Sequence, residues 1–444
     1  MAGQGDWAVY RAGRAVGWLK AWISHKGIAY WITATVILIV ATWASPFIEK
    51  FTNLTAAQNW LFQNLTQSVT NPSHARHVKL VLFRDEDFWK GPLHHRTPID
   101  RSYLGQVVRA LDAADASVIA LDIDMRLAEP YAKVRPGDYG RIDSYKLYRD
   151  ETDALVHAIG DTATRRKIVL SKTIGGSERD GFTFEADTYE AYGICNGLNP
   201  DGTWRNPGTP EFPLTPTAQR NIACGYIALM DDRRRIPLPI PIVGQSGKMD
   251  SFPLAIVRAR DPAVVSDLRA HEYYGTYIND DVIADKRVTV AASVLLSNPD
   301  SARPVLQGWP VIVGEAWYTR GLHRGEMVDV HDTPIGTVNG ALIHENVAEA
   351  VLSNRIYPGI SNTALHAMEI VVGVGAAILF AAFAAVWARL AMLGATMAAL
   401  LAAQWVTLQL FGAFFDAYIP VFALGLHAVV SGLTESHPAE AAAT

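Results

Sequence analysis

The chain is apolar in two different rhythms. Four stretches stay apolar for the length of a helix: GIAYWITATVILIVATWASPF at 27–47, ALHAMEIVVGVGAAILFAAFAAVW at 364–387, LAMLGATMAALLAAQWVTLQLF at 390–411 and AYIPVFALGLHAVVSGL at 417–433. A helix rises about 1.5 Å per residue, so about 20 apolar residues cross a bilayer. The pattern predicts four transmembrane α-helices, one leading and three trailing. The fourth is the shortest and carries His427, with Tyr418 and Pro420 where an interfacial start belongs. The first run is longer than the apolar core of a cleaved leader and follows residues 1–26, which favours an uncleaved anchor.

Between these runs the rhythm shortens. HVKLVLF (77–83) reads as a strand, and LGQVVRALDAAD (104–115) places Leu104, Val107, Val108 and Leu111 at helical spacing. SVIALDIDM (117–125) is a continuous β-branched run, the mark of a strand covered on both faces. DETDALVHAIG (150–160) predicts a second amphipathic helix and RKIVLSKT (166–173) a third strand. Strand, helix, strand, helix, strand predicts an α/β domain with a mostly parallel or mixed sheet. The rhythm fails over 175–220, which is rich in Gly, Pro, Asn and Thr and reads as an irregular insertion. Beyond it, GYIALM and RIPLPI suggest two strands joined by a turn at Asp231–Arg235; FPLAIVRAR (252–260) suggests a helix, WPVIVGEA (309–316) a strand and ALIHENVAEAVLSN a helix.

Charge gives the orientation. Arg11, Arg14, Lys20 and Lys26 precede the first run against the single acid Asp6, and basic residues stay in the cytoplasm. Arg389 in the second-to-third link and Asp416 in the third-to-fourth agree. The expected layout is a cytoplasmic segment 1–26, a transmembrane helix 27–47, a periplasmic domain 48–363, three transmembrane helices 364–433 and a cytoplasmic tail 434–444, in a bacterial inner membrane. The net charge is only −5, with no basic run or aromatic–basic alternation, so no nucleic-acid partner is expected. There is no Walker loop, HExxH, GxSxG or dinucleotide fingerprint, so neither an enzyme nor a cofactor is expected.

Candidate chemistry is sparse. Asp122 and Asp124 end a strand, and residues i and i+2 share a face. Ligands of open α/β sheets gather at the carboxyl ends of strands, which marks this pair for ligand or cation contact. The alternative is a buried carboxylate that caps a helix or pairs with Arg101 or Arg126. Asp85, Glu86 and Asp87 follow the first strand; if that strand is parallel to the second, they lie at the same sheet edge, able to hold a cation, or else they form a solvated turn. In DVHDTPIGTVNGALIHENVAEAVL (329–352), His331, Asp332, His344 and Glu345 include metal-ligand types. Asp332 before Thr333–Pro334 also reads as a turn starter, and His344, three residues from Ala341 and Val347, as a packing residue. The metal question stays open here. Cys195 and Cys224 bracket the irregular insertion in an oxidising compartment, and a disulfide between them is expected to stabilise by about 3 kcal/mol.

These blocks resemble a known family in their order. FRDEDFWKGPLHHRTPIDRSYLGQVVRALDAADASVIALDIDM, then CGYIALMDDRRRIPLPI, DSFPLAIVRAR, VIVGEA and DVHDTPIGTVNGALIHENVAEAVL follow one another as in the second class of CHASE domains. Those are extracellular sensory modules of bacterial cyclases, histidine kinases and serine/threonine kinases. The resemblance covers most of 76–356 and extends to the layout of one helix before the domain and three after. It implies a membrane-anchored sensory or regulatory subunit that binds a ligand or partner in the periplasm; the residues read above offer Asp85, Asp87, Asp122, Asp124 and Asp332 as candidate contacts. Members usually continue into a cyclase or kinase, so the expected output is a separate membrane or cytoplasmic effector. A structural or assembly role in a larger envelope complex stays open, as does a homo-oligomer.

Overall fold

The computed structural model describes residues 27–51, 60–61, 64–65, 78–91, 93, 99–123, 139–177, 181–184, 194–195, 214–227, 235–243, 248–263, 273–276, 288–319, 325, 327–333, 336–352, 356–358, 362–383, 385–411 and 418–436. They form two compact units. One comprises Met1–Gln58 with Ile360–Thr444, the other Asn59–Gly359.

The larger unit is built on a six-stranded sheet. Its strands are β1 (Lys79–Arg84), β2 (Val118–Leu121), β3 (Lys167–Lys172), β6 (Ile222–Tyr226), β11 (Thr289–Ala291) and β12 (Pro310–Ala316), in the order β11-β1-β12-β2-β3-β6. Every pairing in it is parallel. A parallel sheet must be covered on both faces, and the continuous apolar runs supply two rows of side chains. Val81, Phe83, Ile119, Leu121, Ile168, Leu170, Val311 and Val313 face one core, shared with α2 (Arg101–Ala113), α3 (Tyr139–Ala163), α6 (Ala292–Ser297) and α7 (Pro299–Leu306). Leu80, Leu82, Val118, Ala120, Val169 and Ile312 face the other, shared with α5 (Phe252–Arg260) and α8 (Gly340–Leu352). Neighbours in sequence thus alternate between cores, and each fully buried Val, Leu or Ile contributes roughly 1.5–3 kcal/mol.

Local chemistry sets the helix starts. Asp100 caps α2 by accepting from the amides of Ser102 and Tyr103, Thr215 caps α4 (Pro216–Asn221) by accepting from Ala218, and Ser251 caps α5 ahead of Pro253 by accepting from Leu254. Gly225 and Gly314 permit close approach of helices to the sheet. A Cβ at Gly225 would lie 2.5 Å from the Phe252 Cα, and one at Gly314 would overlap the Ala341 Cβ. The second contact seats α8 on the central strand β12.

Smaller sheets surround this frame. β4 (Ile174–Ser177) and β5 (Gly181–Phe184) form a hairpin, as do β8 (Pro239–Pro241) with β9 (Lys248–Asp250) and β13 (Val330–Thr333) with β14 (Gly336–Asn339). β7 (Arg235–Pro237) and β15 (Ile356–Pro358) flank β10 (Tyr273–Thr276), antiparallel. GYIALM and RIPLPI, expected as two strands joined by a turn, both contain strands, but the described strands do not pair with one another. β6 joins the parallel sheet, while the Pro-rich return segment splits between β7 and β8, whose partners lie elsewhere. The insertion is also not wholly irregular, since β4 and β5 fall within it.

The smaller unit contains α1 (Gly27–Phe51), α9 (Asn362–Ala381), α10 (Val386–Phe411) and α11 (Tyr418–Ser436). α11 touches the other three. Ala34 and Leu38 of α1 meet Ala376, Ala377 and Phe380 of α9, Leu400 of α10 and Val421, Leu424 and Ala428 of α11. Large apolar side chains also point outward: Ile28, Trp43, Val371, Trp387 and Phe422 are all more than half exposed. Among the described residues, one stretch, Val386–Thr407, is by itself long and apolar enough to cross a membrane. Tyr30–Ala41, Ala367–Ala381 and Tyr418–Ser431 are shorter apolar helices.

Candidate functional site

The carboxyl edge of the parallel sheet carries the acidic residues that the strand-end rule singles out, and the two sides of the sheet divide them. In β2, Val118 and Ala120 face α5 and α8, so Asp122, two residues on, continues that row. In β1, Phe83 faces α2 and α6, and the chain then enters a π-helical turn at Glu86–Lys90.

Asp85 and Asp87 are buried, which excludes a solvated turn. Both work for the backbone. Asp87 accepts from the amide of Arg84 through Oδ2 (2.8 Å) and from Ser293, at the start of α6, through Oδ1 (2.7 Å). Asp85 Oδ1 accepts from the Tyr318 amide at 2.8 Å. These bonds fix the exits of β1 and β12. Asp332 lies in β13 opposite Thr337. Asp124 lies outside the described residues, as does Arg126.

Asp122 has a different neighbour, one that sequence spacing did not pair with it. His344 lies on the inner face of α8, one turn beyond Ala341, and its ring meets Phe252 of α5 edge to face at 5.3 Å. Its Nε2 stands 3.9 Å from Asp122 Oδ1, and both side chains are more than nine-tenths buried. Asp122 Oδ2 and His344 Nδ1 have no hydrogen-bond partner among the described residues. Burial, then the fields of Asp329 and Glu315, push the Asp122 carboxyl well above the usual carboxylate range. Burial pulls the imidazole of His344 down to about 4; Asp329 opposes this and His331 adds to it. His344 is therefore neutral near pH 6, and at 3.9 Å the contact is too long for a hydrogen bond. Arg101, once a possible partner for Asp122, donates to Thr152 Oγ1 at 2.9 Å instead.

The β13–β14 hairpin frames the pair. Asn339 ties it down, donating to the Glu315 carbonyl and accepting from the Ala341 amide at 3.1 Å. Asp329 adopts a left-handed backbone (φ +51°), and its carbonyl accepts from the Gly340 amide at 2.8 Å. Glycine at 340 leaves room for the Asp329 carboxylate, since a Cβ there would lie 2.5 Å from Oδ2. That carboxylate meets His331 Nε2 at 3.1 Å.

The opposite edge is a surface network. Asp112, in the last turn of α2, and Asp115, just after it, pair with Arg165 and Arg166, after α3, and Asp112 and Arg165 line an open cleft with Arg109 and Asp161. Exposed pairs of this kind contribute about 0–1 kcal/mol each, and they read as bracing between helices.

Cys195 and Cys224 form a disulfide with Cα atoms 5.9 Å apart. It fastens the buried Ile194–Cys195 segment to β6.

The model of the CHASE2 domain matches residues 33–387. No curated protein and no solved structure matches the chain.

Proposed function

The chain belongs to the CHASE2 domain family, an extracellular sensory family, and on that premise we propose that it is a membrane-anchored extracytoplasmic sensory subunit. Its α/β unit binds a small ligand or partner at the carboxyl edge of the sheet, around Asp122 and His344. The apolar helices α1, α9, α10 and α11 cross the membrane, with both termini in the cytoplasm, and pass the state of the α/β unit to an effector protein. Ligand must favour one arrangement of the protein over another for this to work.

The observation that carries the site is the buried, unsatisfied Asp122–His344 pair. Buried polar atoms are nearly always bonded, and leaving one unsatisfied costs about 1–3 kcal/mol. A pair of this kind suits a binding site better than a packing contact. The outward apolar side chains of α1, α9, α10 and α11 support the membrane anchor, because such a surface is unfavourable in water. The disulfide supports an oxidising compartment.

Purification in mild detergent followed by mass spectrometry tests the reading. The expected result is a copurifying kinase, cyclase or other signalling protein, whose activity changes when Asp122→Asn is introduced. Stoichiometric recovery with a large envelope assembly, and no effect of the substitution, would instead assign a structural role.

A further inference from the structure

We propose that Asp122 and His344 form a binding site for a divalent first-row transition-metal cation. The proposal rests on the sensory reading of the sheet edge and names the ligand class for it.

Three observations meet at this point. The first is spacing. Asp122 Oδ1 and His344 Nε2 are 3.9 Å apart. That is too long for a bond between them, yet each donor reaches a single ion at about 2.0–2.2 Å across such a gap. The second is the set of orphaned atoms. Asp122 Oδ2 and His344 Nδ1 are buried without hydrogen-bond partners among the described residues, on side chains more than nine-tenths buried. The third is the surrounding field. Asp329 and Glu315 both act on Asp122, and Asp329 acts also on His344. A cation entering here gains from carboxylates that otherwise oppose one another.

The donor types choose the cation. Ca²⁺ and Mg²⁺ take oxygen ligands almost exclusively, whereas imidazole nitrogen with carboxylate oxygen suits Zn²⁺, Mn²⁺ and related ions. Among the described residues no group of three or more His, Cys, Asp or Glu side chains surrounds one point. Asp122 and His344 are the two donors seen among the described residues. The parity of β2 sets the carboxylate on the α8 face, and the close Gly314–Ala341 approach brings the imidazole to meet it.

The test is a titration of the full chain in mild detergent, stripped with chelator, with Zn²⁺ and separately with Ca²⁺, followed by calorimetry and thermal unfolding. The expected result is a Zn²⁺ site of one ion per chain that raises the unfolding temperature. Its affinity falls at least tenfold in Asp122→Asn and in His344→Gln, and Ca²⁺ does not reproduce it. Asp122→Asn keeps the shape of the side chain, so it carries the test should His344→Gln fail to fold. Equal Zn²⁺ affinity in wild type and Asp122→Asn would overturn the proposal, as would equal binding of Ca²⁺. Loss of the metal site alone would leave the sensory reading standing if Asp122→Asn still altered the activity of a copurifying effector.

Discussion

Cys224→Ser lowers the stability of the α/β unit by about 3–4 kcal/mol. The bridge closes a loop with a sequence separation of 29 residues. On the loop-entropy account, freeing a loop of that length returns this much conformational freedom to the unfolded chain. The fold magnifies the consequence. β6 is the edge strand of the six-stranded sheet, beside β3, and the bridge holds Ile194, fully buried in the larger core, against it. Denaturant unfolding of the full chain with and without reductant measures the effect. Wild type with reductant should match Cys224→Ser, and Cys224→Ser should show no further change on reduction. An unchanged midpoint for wild type under reductant would contradict the account.

Acid titration separates Asp122 from His344 by sign. The folded pKa of His344 is lowered from 6.5 to about 4. The unfolded chain therefore takes up a proton first as pH falls. The stability of the neutral buried imidazole is fully present above pH 6.5 and is lost on the way down to pH 4, by about 3 kcal/mol. The Asp122 shift runs upward from 3.8, so the folded chain takes up a proton first. That contribution is present at low pH and is lost as pH rises through the folded pKa. The two oppose each other in wild type. Removing the carboxylate in Asp122→Asn should expose the steep acid loss due to His344. Removing the imidazole in His344→Gln should leave a protein that gains stability on acidification. Unfolding measured from pH 7 to pH 4 in the presence of a chelator tests this. Parallel curves for both variants and wild type would show that the two groups are not buried together.

Much of this architecture was legible in the chain, because apolar rhythm and burial are one physical fact seen twice. HVKLVLF, SVIALDIDM, RKIVLSKT and WPVIVGEA all became strands of the parallel sheet. Their order was not legible. β12 comes late in the chain yet lies between β1 and β2, and strand order depends on crossovers that no local pattern records. The partners of RIPLPI were not legible, because three-residue strands with alternating prolines carry too little pattern to name one.

The site divides in the same way. Asp122 was visible because strand parity persists to the end of β2. The roles of Asp85 and Asp87 were not legible because parity ends where the π-helical turn begins, so proximity in sequence did not show that they turn to backbone amides. His344 looked like a packing residue, and by position on α8 it is one. What spacing could not show is its neighbour on β2, which is set by the tertiary approach of Ala341 to Gly314.

The central claim is that the α/β unit stands outside the cytoplasm on helices that cross the membrane. Val294 on α6 is half exposed, so a Val294→Cys chain presents a reactive thiol on that unit while Cys195 and Cys224 remain bonded to each other. The direct measurement is labelling of this chain in intact spheroplasts with a membrane-impermeant maleimide. The account predicts full labelling without lysis. Labelling that appears only after the membrane is permeabilised would contradict it.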